Sequence, residues 1–307
     1  MPLIVTDALT MRYGTLTALD RLTVAVEPGV IGLIGANGAG KSTLIKILLG
    51  LLPATSGSAS VLGLDVRRDG ETIRHRVGYM PEHDCLPADT SATEFVVHMA
   101  RMSGLPLTAA RERTADTLRH VGLYEERYRS IGGYSTGMRQ RVKLAQALVH
   151  DPDLVLLDEP TNGLDPGGRD EMLGLIRRIG TEFGISVLVA SHLLGELERV
   201  CDHVVVIDGG RLLRASSTAD ATATSGVLVV EVDDRSPALV DVLRSAGLAV
   251  HPTGRLIEID LAGEETFDVV RDAVARLGLG LVRLQRRRHR MAELFDAPEG
   301  ARHVDAR

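Results

Sequence analysis

The sequence predicts a parallel α/β sheet interrupted by a helical insert and followed by a small α+β domain, and three patterns carry that reading. Val30–Ile34 is a compact apolar run that ends at a glycine, passes through a glycine-rich turn and enters the helix-like stretch Ser42–Leu52. Strand, glycine loop and helix form the opening unit of a parallel sheet. Leu154–Leu157, Ser186–Ala190 and Val204–Ile207 are continuous apolar runs, as strands buried on both faces require. Beyond residue 226 the candidate elements follow the order β-α-β-β-α-β, the ferredoxin-like split arrangement.

Ahead of the opening unit, residues 3–9 and 22–26 read as short strands around a polar segment that holds Tyr13 and Gly14. Residues 86–150 turn helical: Thr93–Met102, Leu107–Val121 and Gly137–Val149 carry apolar positions at spacings of three and four. The first domain is read as 1–215. Ser216–Ser225, made of Ser, Thr, Ala and Asp, is read as a linker. The second domain, 226–307, is built from strands at Val227–Val232, Ala249–His251, Arg255–Leu261 and Leu281–Leu284, helices at Pro237–Ala246 and Thr266–Leu277, and a short tail. A length of 307 residues suits two domains of about 150 residues each.

Hydrophobic residues at 44% and charged ones at 25% describe a globular chain rather than a disordered one. A formal net charge of −6 argues against binding nucleic acid through bulk electrostatics. Cys85 and Cys201 match no metal-ligand spacing and are read as two reduced thiols, although a disulfide between them is compatible with the sequence. The most apolar window, Leu44–Ala54, contains Lys46 and stops at Pro53, short of the roughly 18 residues a membrane helix needs. The N-terminus lacks the basic and apolar regions of a signal peptide. A soluble chain is expected, with any membrane role passing through a partner.

Gly35-Ala36-Asn37-Gly38-Ala39-Gly40-Lys41-Ser42 fits G-x-x-x-x-G-K-[ST] at every fixed position. Wrapping an anion with successive N–H groups needs dihedrals that glycine adopts without a Cβ clash. The helix that follows aims its positive end at the same phosphates. Lys41 is expected to reach the β- and γ-phosphates and the Ser42 hydroxyl to ligate Mg²⁺. Gly35, Asn37, Gly38, Ala39, Gly40, Lys41, Ser42 and Thr43 are the candidate nucleotide-binding residues. Leu154-Val155-Leu156-Leu157-Asp158-Glu159 then delivers two carboxylates at a strand's C-terminal end, where open α/β sheets bind ligands. Asp158 suits the Mg²⁺ shell, and Glu159 suits polarisation of an attacking water.

With these residues the chain resembles the ATP-binding-cassette (ABC) ATPases over roughly residues 1–215. Further segments carry the resemblance in the family's order. Tyr134-Ser135-Thr136-Gly137-Met138, followed by Arg139-Gln140-Arg141, is similar to the signature loop, Thr161-Asn162-Gly163-Leu164-Asp165 to the D-loop, and Ser191-His192 to the switch histidine. Val77-Gly78-Tyr79-Met80-Pro81-Glu82 is similar to the Q-loop, and Tyr13 stands where the family stacks an aromatic ring on adenine. Glu82 replaces the usual glutamine, so it can ligate Mg²⁺ but cannot donate an amide hydrogen bond. Thr136 and Met138 depart from the signature's Gly and Gln. Plainer roles are open too: Asp165 before Pro166 is a good helix N-cap, and Ser135 can equally cap the Gly137–Val149 helix.

The resemblance implies a P-loop NTPase core with a helical subdomain, ATP and Mg²⁺ as ligands, and a head-to-tail dimer sandwiching two ATP molecules. Lys41, Ser42, Asp158, Glu159 and His192 would act from one chain, and Ser135, Gly137 and Asp165 from the other, with Lys41, Glu159 and His192 catalytic and Ser42, Glu82 and Asp158 near the metal. It further implies a cytoplasmic ATPase, peripheral on the inner membrane face, that energises a transmembrane permease. Glu82 and the segment Met291-Ala292-Glu293-Leu294-Phe295, which resembles a motif ending many exporter ATPases, point to export. An importer ATPase and a soluble ATPase acting on ribosomes or DNA are the alternatives. The run Arg286-Arg287-Arg288-His289-Arg290 reads as a solvated strand end or a contact for lipid head groups or permease. The second domain is expected to aid dimerisation or regulate hydrolysis.

Overall fold

The computed structural model describes residues 1–197, 199–217, 224–233, 237–253, 256–261, 263 and 265–288. The chain divides into two compact units, Met1–Thr218 and Ala219–Arg307.

The first unit opens with a hairpin, β1 (Ile4–Tyr13) and β2 (Leu16–Val26), longer than the two short strands expected because antiparallel pairing continues through the intervening segment as far as Tyr13 opposite Leu16. β3 (Val30–Ile34) is buried at all five positions and leads through the glycine loop into α1 (Lys41–Leu48). β4 (Ser56–Val61), β5 (Leu64–Asp65) and α2 (Gly70–Arg76) follow. The small, polar composition of Ser56–Val61 hides a strand that is fixed by pairing antiparallel with β1. After β6 (Val77–Met80) come the three helices of the insert, α3 (Ala92–Met102), α4 (Leu107–His120) and α5 (Thr136–Leu148). Ser91 and Glu94 close a capping box on α3, worth about 1 kcal/mol in a typical helix.

The chain returns to the sheet with β7 (Leu154–Asp158), α6 (Pro166–Glu182), β8 (Ser186–Ser191), α7 (Leu194–Leu197), β9 (His203–Asp208) and β10 (Arg211–Ser217). One sheet has the order β2-β1-β4-β5, the other β10-β9-β3-β8-β7-β6. In the six-stranded sheet β9, β3, β8, β7 and β6 are parallel and β10 is antiparallel. The continuous apolar runs are therefore interior strands of a parallel sheet, and the glycine loop, the carboxylates and His192 all follow strand C-termini on one edge. α1 buries Leu44, Ile45, Ile47 and Leu48 in a core that also takes Leu9, Leu19 and Leu22 from the hairpin and Ile31 and Leu33 from β3.

The second unit contains β11 (Thr224–Val232), α8 (Pro237–Ser245), β12 (Val250–Thr253), β13 (Leu256–Asp260), α9 (Glu265–Arg276) and β14 (Leu281–Arg288). Its sheet order, β12-β13-β11-β14 with antiparallel neighbours, is that of the split βαβ arrangement. Leu228, Val230, Ile257 and Ile259 face Leu239, Leu243, Val270 and Val274 of the helices. Of the stretch 216–225, Ser216 and Ser217 belong to β10 and Thr224 and Ser225 to β11, and 218–223 lie outside the described residues. β14 takes in Arg286–Arg288. His289, Arg290 and Met291–Phe295 lie outside the described residues.

Candidate functional site

Two glycines of the loop, Gly35 and Gly40, sit where contacts leave no room for a side chain. Gly40 has φ +102°, and a Cβ there would meet the Ala18 carbonyl oxygen at 2.5 Å. A Cβ on Gly35 would meet Ile207 O at 2.5 Å. Gly38, at φ +83°, faces open space, which leaves its backbone free to approach a ligand. Ala39 is buried beneath the loop, and its carbonyl accepts from Gly210 N at 3.1 Å.

Lys41 is 6% exposed and curls back into the loop, donating from Nζ to Gly35 O at 2.7 Å and to Ala36 O at 3.3 Å. The same Nζ lies 3.4 Å from Glu159 Oε1. Glu159 sits just past β7 with φ +50°, a conformation disfavoured for a residue with a side chain. Its N–H donates to Ala190 O at 2.9 Å, and its Oε2 lies 3.0 Å from His192 Nδ1. β8 carries His192 at its end and lies between β3 and β7. One carboxylate is thereby held between the loop lysine and the histidine. Burial pushes the Asp158 carboxyl above its ordinary value, and a hydrogen bond from the Ser42 hydroxyl partly offsets that. Tyr79, on the neighbouring strand, is pushed up to about 12 by burial and then by the Asp158 charge.

Lys41, Ser42, Asp158 and Glu159 line a cleft of about 370 Å³, together with Asn37, Gly38, Gly40 and Thr43 of the loop, Glu82 after β6, and Tyr13 at the end of β1, while His192 reaches it only through its contact with Glu159. Tyr13 is 46% exposed, so a ring face is open to a ligand. Leu16 and Ala18 complete the wall. Asp158 Oδ1 is buried without a hydrogen-bond partner, and Glu159 Oε1 has only its ion-pair contact with Lys41; for Asp158 this is an unfavourable arrangement that a cation or a positioned water relieves. Among the described residues no three His, Cys, Asp or Glu side chains converge on a metal position. A hydroxyl and one or two carboxylates nevertheless fit Mg²⁺, which takes few protein oxygens and fills its shell from phosphates and water.

Ser135, Gly137 and Asp165 are not in that cleft. They line a second one of about 680 Å³, between the start of α5 and the start of α6. There Ser135 caps α5 by accepting from Met138 N at 3.3 Å, and Asp165 caps α6 by accepting from Gly168 N at 2.9 Å. The capping roles are thus real.

Several bonds near the site had no signal in the sequence, because the partners are distant in the chain, although Gln140 itself lies in the run that resembles the signature loop. Lys143 Nζ donates to the Glu82 carbonyl at 2.8 Å, and Gln140 Nε2 to the Asn162 carbonyl at 3.0 Å. Glu196 accepts from Thr161 Oγ1 at 3.2 Å and from Arg169 at 3.1 Å, which ties the Thr161–Asp165 loop to the helix after His192. Cys85 is exposed and Cys201 buried, and neither forms a disulfide.

The family model described as ABC transporter matches residues 19–162. The bacitracin transport ATP-binding protein of Bacillus licheniformis is 39% identical over 212 residues, 69% of this chain and 68% of that protein. The daunorubicin/doxorubicin resistance ATP-binding protein of Streptomyces peucetius is 35% identical over 265 residues, 83% of this chain and 80% of that one. Among solved structures, that of cbiO1 from Clostridium perfringens, part of an ABC transporter complex, matches with a TM-score of 0.67 and 28% identity, covering 72% of this chain and 91% of that one.

Proposed function

The chain belongs to the ABC transporter family as an ATP-binding protein and ATPase, and on that premise we propose that it powers export by a separate membrane permease. The observation that carries the mechanism is the division of the candidate residues between two clefts. Lys41, Ser42, Asp158 and Glu159 line one, Ser135, Gly137 and Asp165 the other. Each cleft on this reading is half of a composite ATP site, completed by the opposite half from a second copy in a head-to-tail dimer.

Within one half, the loop N–H groups and Lys41 bind the phosphates. Lys41 exchanges the Gly35 and Ala36 carbonyls for phosphate oxygens, and Glu159, released from Lys41, orients the attacking water and draws its proton toward Oε1 or Oε2. His192 steadies Glu159 from the far side and faces the terminal phosphate. Ser42 and Asp158, with Glu82 nearby, would hold Mg²⁺, which supplies neutralisation of phosphate charge. From the second copy, Ser135 and the N-terminus of α5 face the terminal phosphate, and Asp165 borders it. The Tyr13 ring stacks on adenine.

No helix among the described residues is long and apolar enough to cross a membrane. Peripheral attachment to the membrane's inner face through the permease is part of the proposal. The names of the relatives, bacitracin transport and daunorubicin/doxorubicin resistance, favour export over import and over action on ribosomes or DNA. Mixing Lys41→Ala and Ser135→Arg chains tests the composite site. Each variant alone is expected to be nearly inactive, and the mixture to regain up to about a quarter to a half of wild-type phosphate release, because each mixed dimer keeps one intact site. No regain over the separate variants would reject shared sites.

A further inference from the structure

We propose that Lys143 and Gln140, two buried polar side chains on one face of α5, are positioning residues that hold the loops carrying Glu82 and Asn162 in register with the phosphate site. Lys143 is 3% exposed and Gln140 6%. A core-facing helix position is ordinarily apolar, as Val142, Leu144, Ala145 and Ala147 of this helix are. An ammonium buried there is unfavourable unless it is bonded, and Lys143 is bonded to the backbone carbonyl of Glu82. Three residues earlier, on the same face, Gln140 donates to the backbone carbonyl of Asn162. A long contact of 3.5 Å from Asn162 Nδ2 to Glu82 Oε1 joins the two loops. The circuit runs from α5 to Glu82, across to Asn162 and back to α5.

The groups around Lys143 agree with this placement. Burial lowers its pKa, and Cys85, Asp84, Glu82 and Asp158 counter that, so the lysine sits in the same acidic field as the candidate metal ligands. Both acceptors are backbone carbonyls, so the two side chains fix where the loops run whatever the Glu82 side chain does. α5 starts at the cleft that holds Ser135 and Gly137, about two turns before Lys143. A helix is stiff over that distance, so its displacement by a nucleotide on a partner copy is passed to Glu82 and Asn162. The inference rests on the composite-site reading above.

The test uses the full chain with Lys143→Met, Gln140→Leu and the double variant. It measures steady-state phosphate release, and binding of a fluorescent ATP analogue with Mg²⁺. Each single variant is expected to lose about tenfold or more in kcat, with KM and analogue affinity within about twofold because the phosphate loop is untouched. The double variant is expected to lose less than the product of the two, since both act on one circuit. A purely structural role would raise KM or weaken binding along with kcat, and that outcome, unchanged kcat, or fully multiplicative losses would each overturn the proposal. If Lys143→Met yields no folded protein, Gln140→Leu decides alone, and unchanged kcat in that variant rejects the circuit. Hydrolysis regained on mixing Lys41→Ala with Ser135→Arg chains secures the underlying composite-site reading separately. A wild type without hydrolysis sinks both, whereas an active wild type with unaffected variants sinks only the positioning role.

Discussion

Replacing Glu159 by Gln is the sharpest perturbation of the proposed chemistry, because it keeps the side chain's shape and removes its charge. Glu159 is 5% exposed, with Oε1 3.4 Å from Lys41 Nζ and Oε2 3.0 Å from His192 Nδ1. At an effective dielectric of about 20, that separation from Lys41 corresponds to about 5 kcal/mol of attraction. The cost of desolvating both groups opposes much of this, and Lys41 keeps its bonds to the Gly35 and Ala36 carbonyls. The nucleotide-free variant is therefore expected to lose about 1–3 kcal/mol of stability. Thermal unfolding would show that at about 2–4 °C per kcal/mol.

Turnover responds more strongly. A positioned general base is worth about 10²–10⁴-fold, so the barrier rises by about 3–5 kcal/mol. ATP binding is retained, since the loop N–H groups and Lys41 are intact, and ATP held without hydrolysis traps the dimer. Phosphate release, analogue titration and sedimentation velocity at saturating ATP read the three consequences. Hydrolysis within about threefold of wild type would refute the role of Glu159. A variant that binds ATP yet sediments only as a monomer would refute the sandwich.

The glycines of the loop should separate folding from binding. Gly35→Ala, whose Cβ would lie 2.5 Å from Ile207 O, is expected to lower the thermal midpoint strongly, whereas Gly38→Ala, in open space but at φ +83°, should add only a backbone strain of about 1–2 kcal/mol to its loss of nucleotide affinity; calorimetry and analogue titration distinguish them. Burial raises the Asp202 carboxyl, but its bonds from Val30 N and Arg177 outweigh that and leave its pKa below the ordinary value. Because a depressed carboxylate stabilises the fold above its unfolded pKa and loses that contribution as pH falls through the folded one, Asp202→Asn should cost about 1 kcal/mol at neutral pH. The gap to wild type in unfolding scans should narrow below about pH 4. Deleting residues 226–307 is expected to weaken ATP-driven dimerisation or change the hydrolysis rate. Sedimentation and phosphate release unchanged from the full chain would remove both roles from that segment.

Glu82 joined Asp158 and Glu159 only through the resemblance, whereas those two carboxylates and the loop from Gly35 to Ser42 were legible from the residues themselves. The difference is physical. A phosphate loop is a local solution, in which one run of backbone must bend a particular way and glycine must stand where it does. The continuous apolar runs likewise announced interior parallel strands, because burial on both faces leaves no polar positions. The helices of the insert showed through their three-and-four periodicity for the same local reason. The strand Ser56–Val61 did not show, because its pairing with β1 and not its composition holds it.

The sequence by itself determined the strand-loop-helix unit, the carboxylates at the end of β7 and the apolar seams of the sheet, each of which depends on neighbours a few residues away. The family resemblance already implied that Ser135 and Asp165 act apart from Lys41, and the two clefts agree with it; tertiary structure alone decided that His192 reaches Glu159 and that Lys143 and Gln140 bond the carbonyls of Glu82 and Asn162. Those pairings join residues tens of positions apart, and strand order and helix packing set them, for which no local pattern in the chain is a substitute.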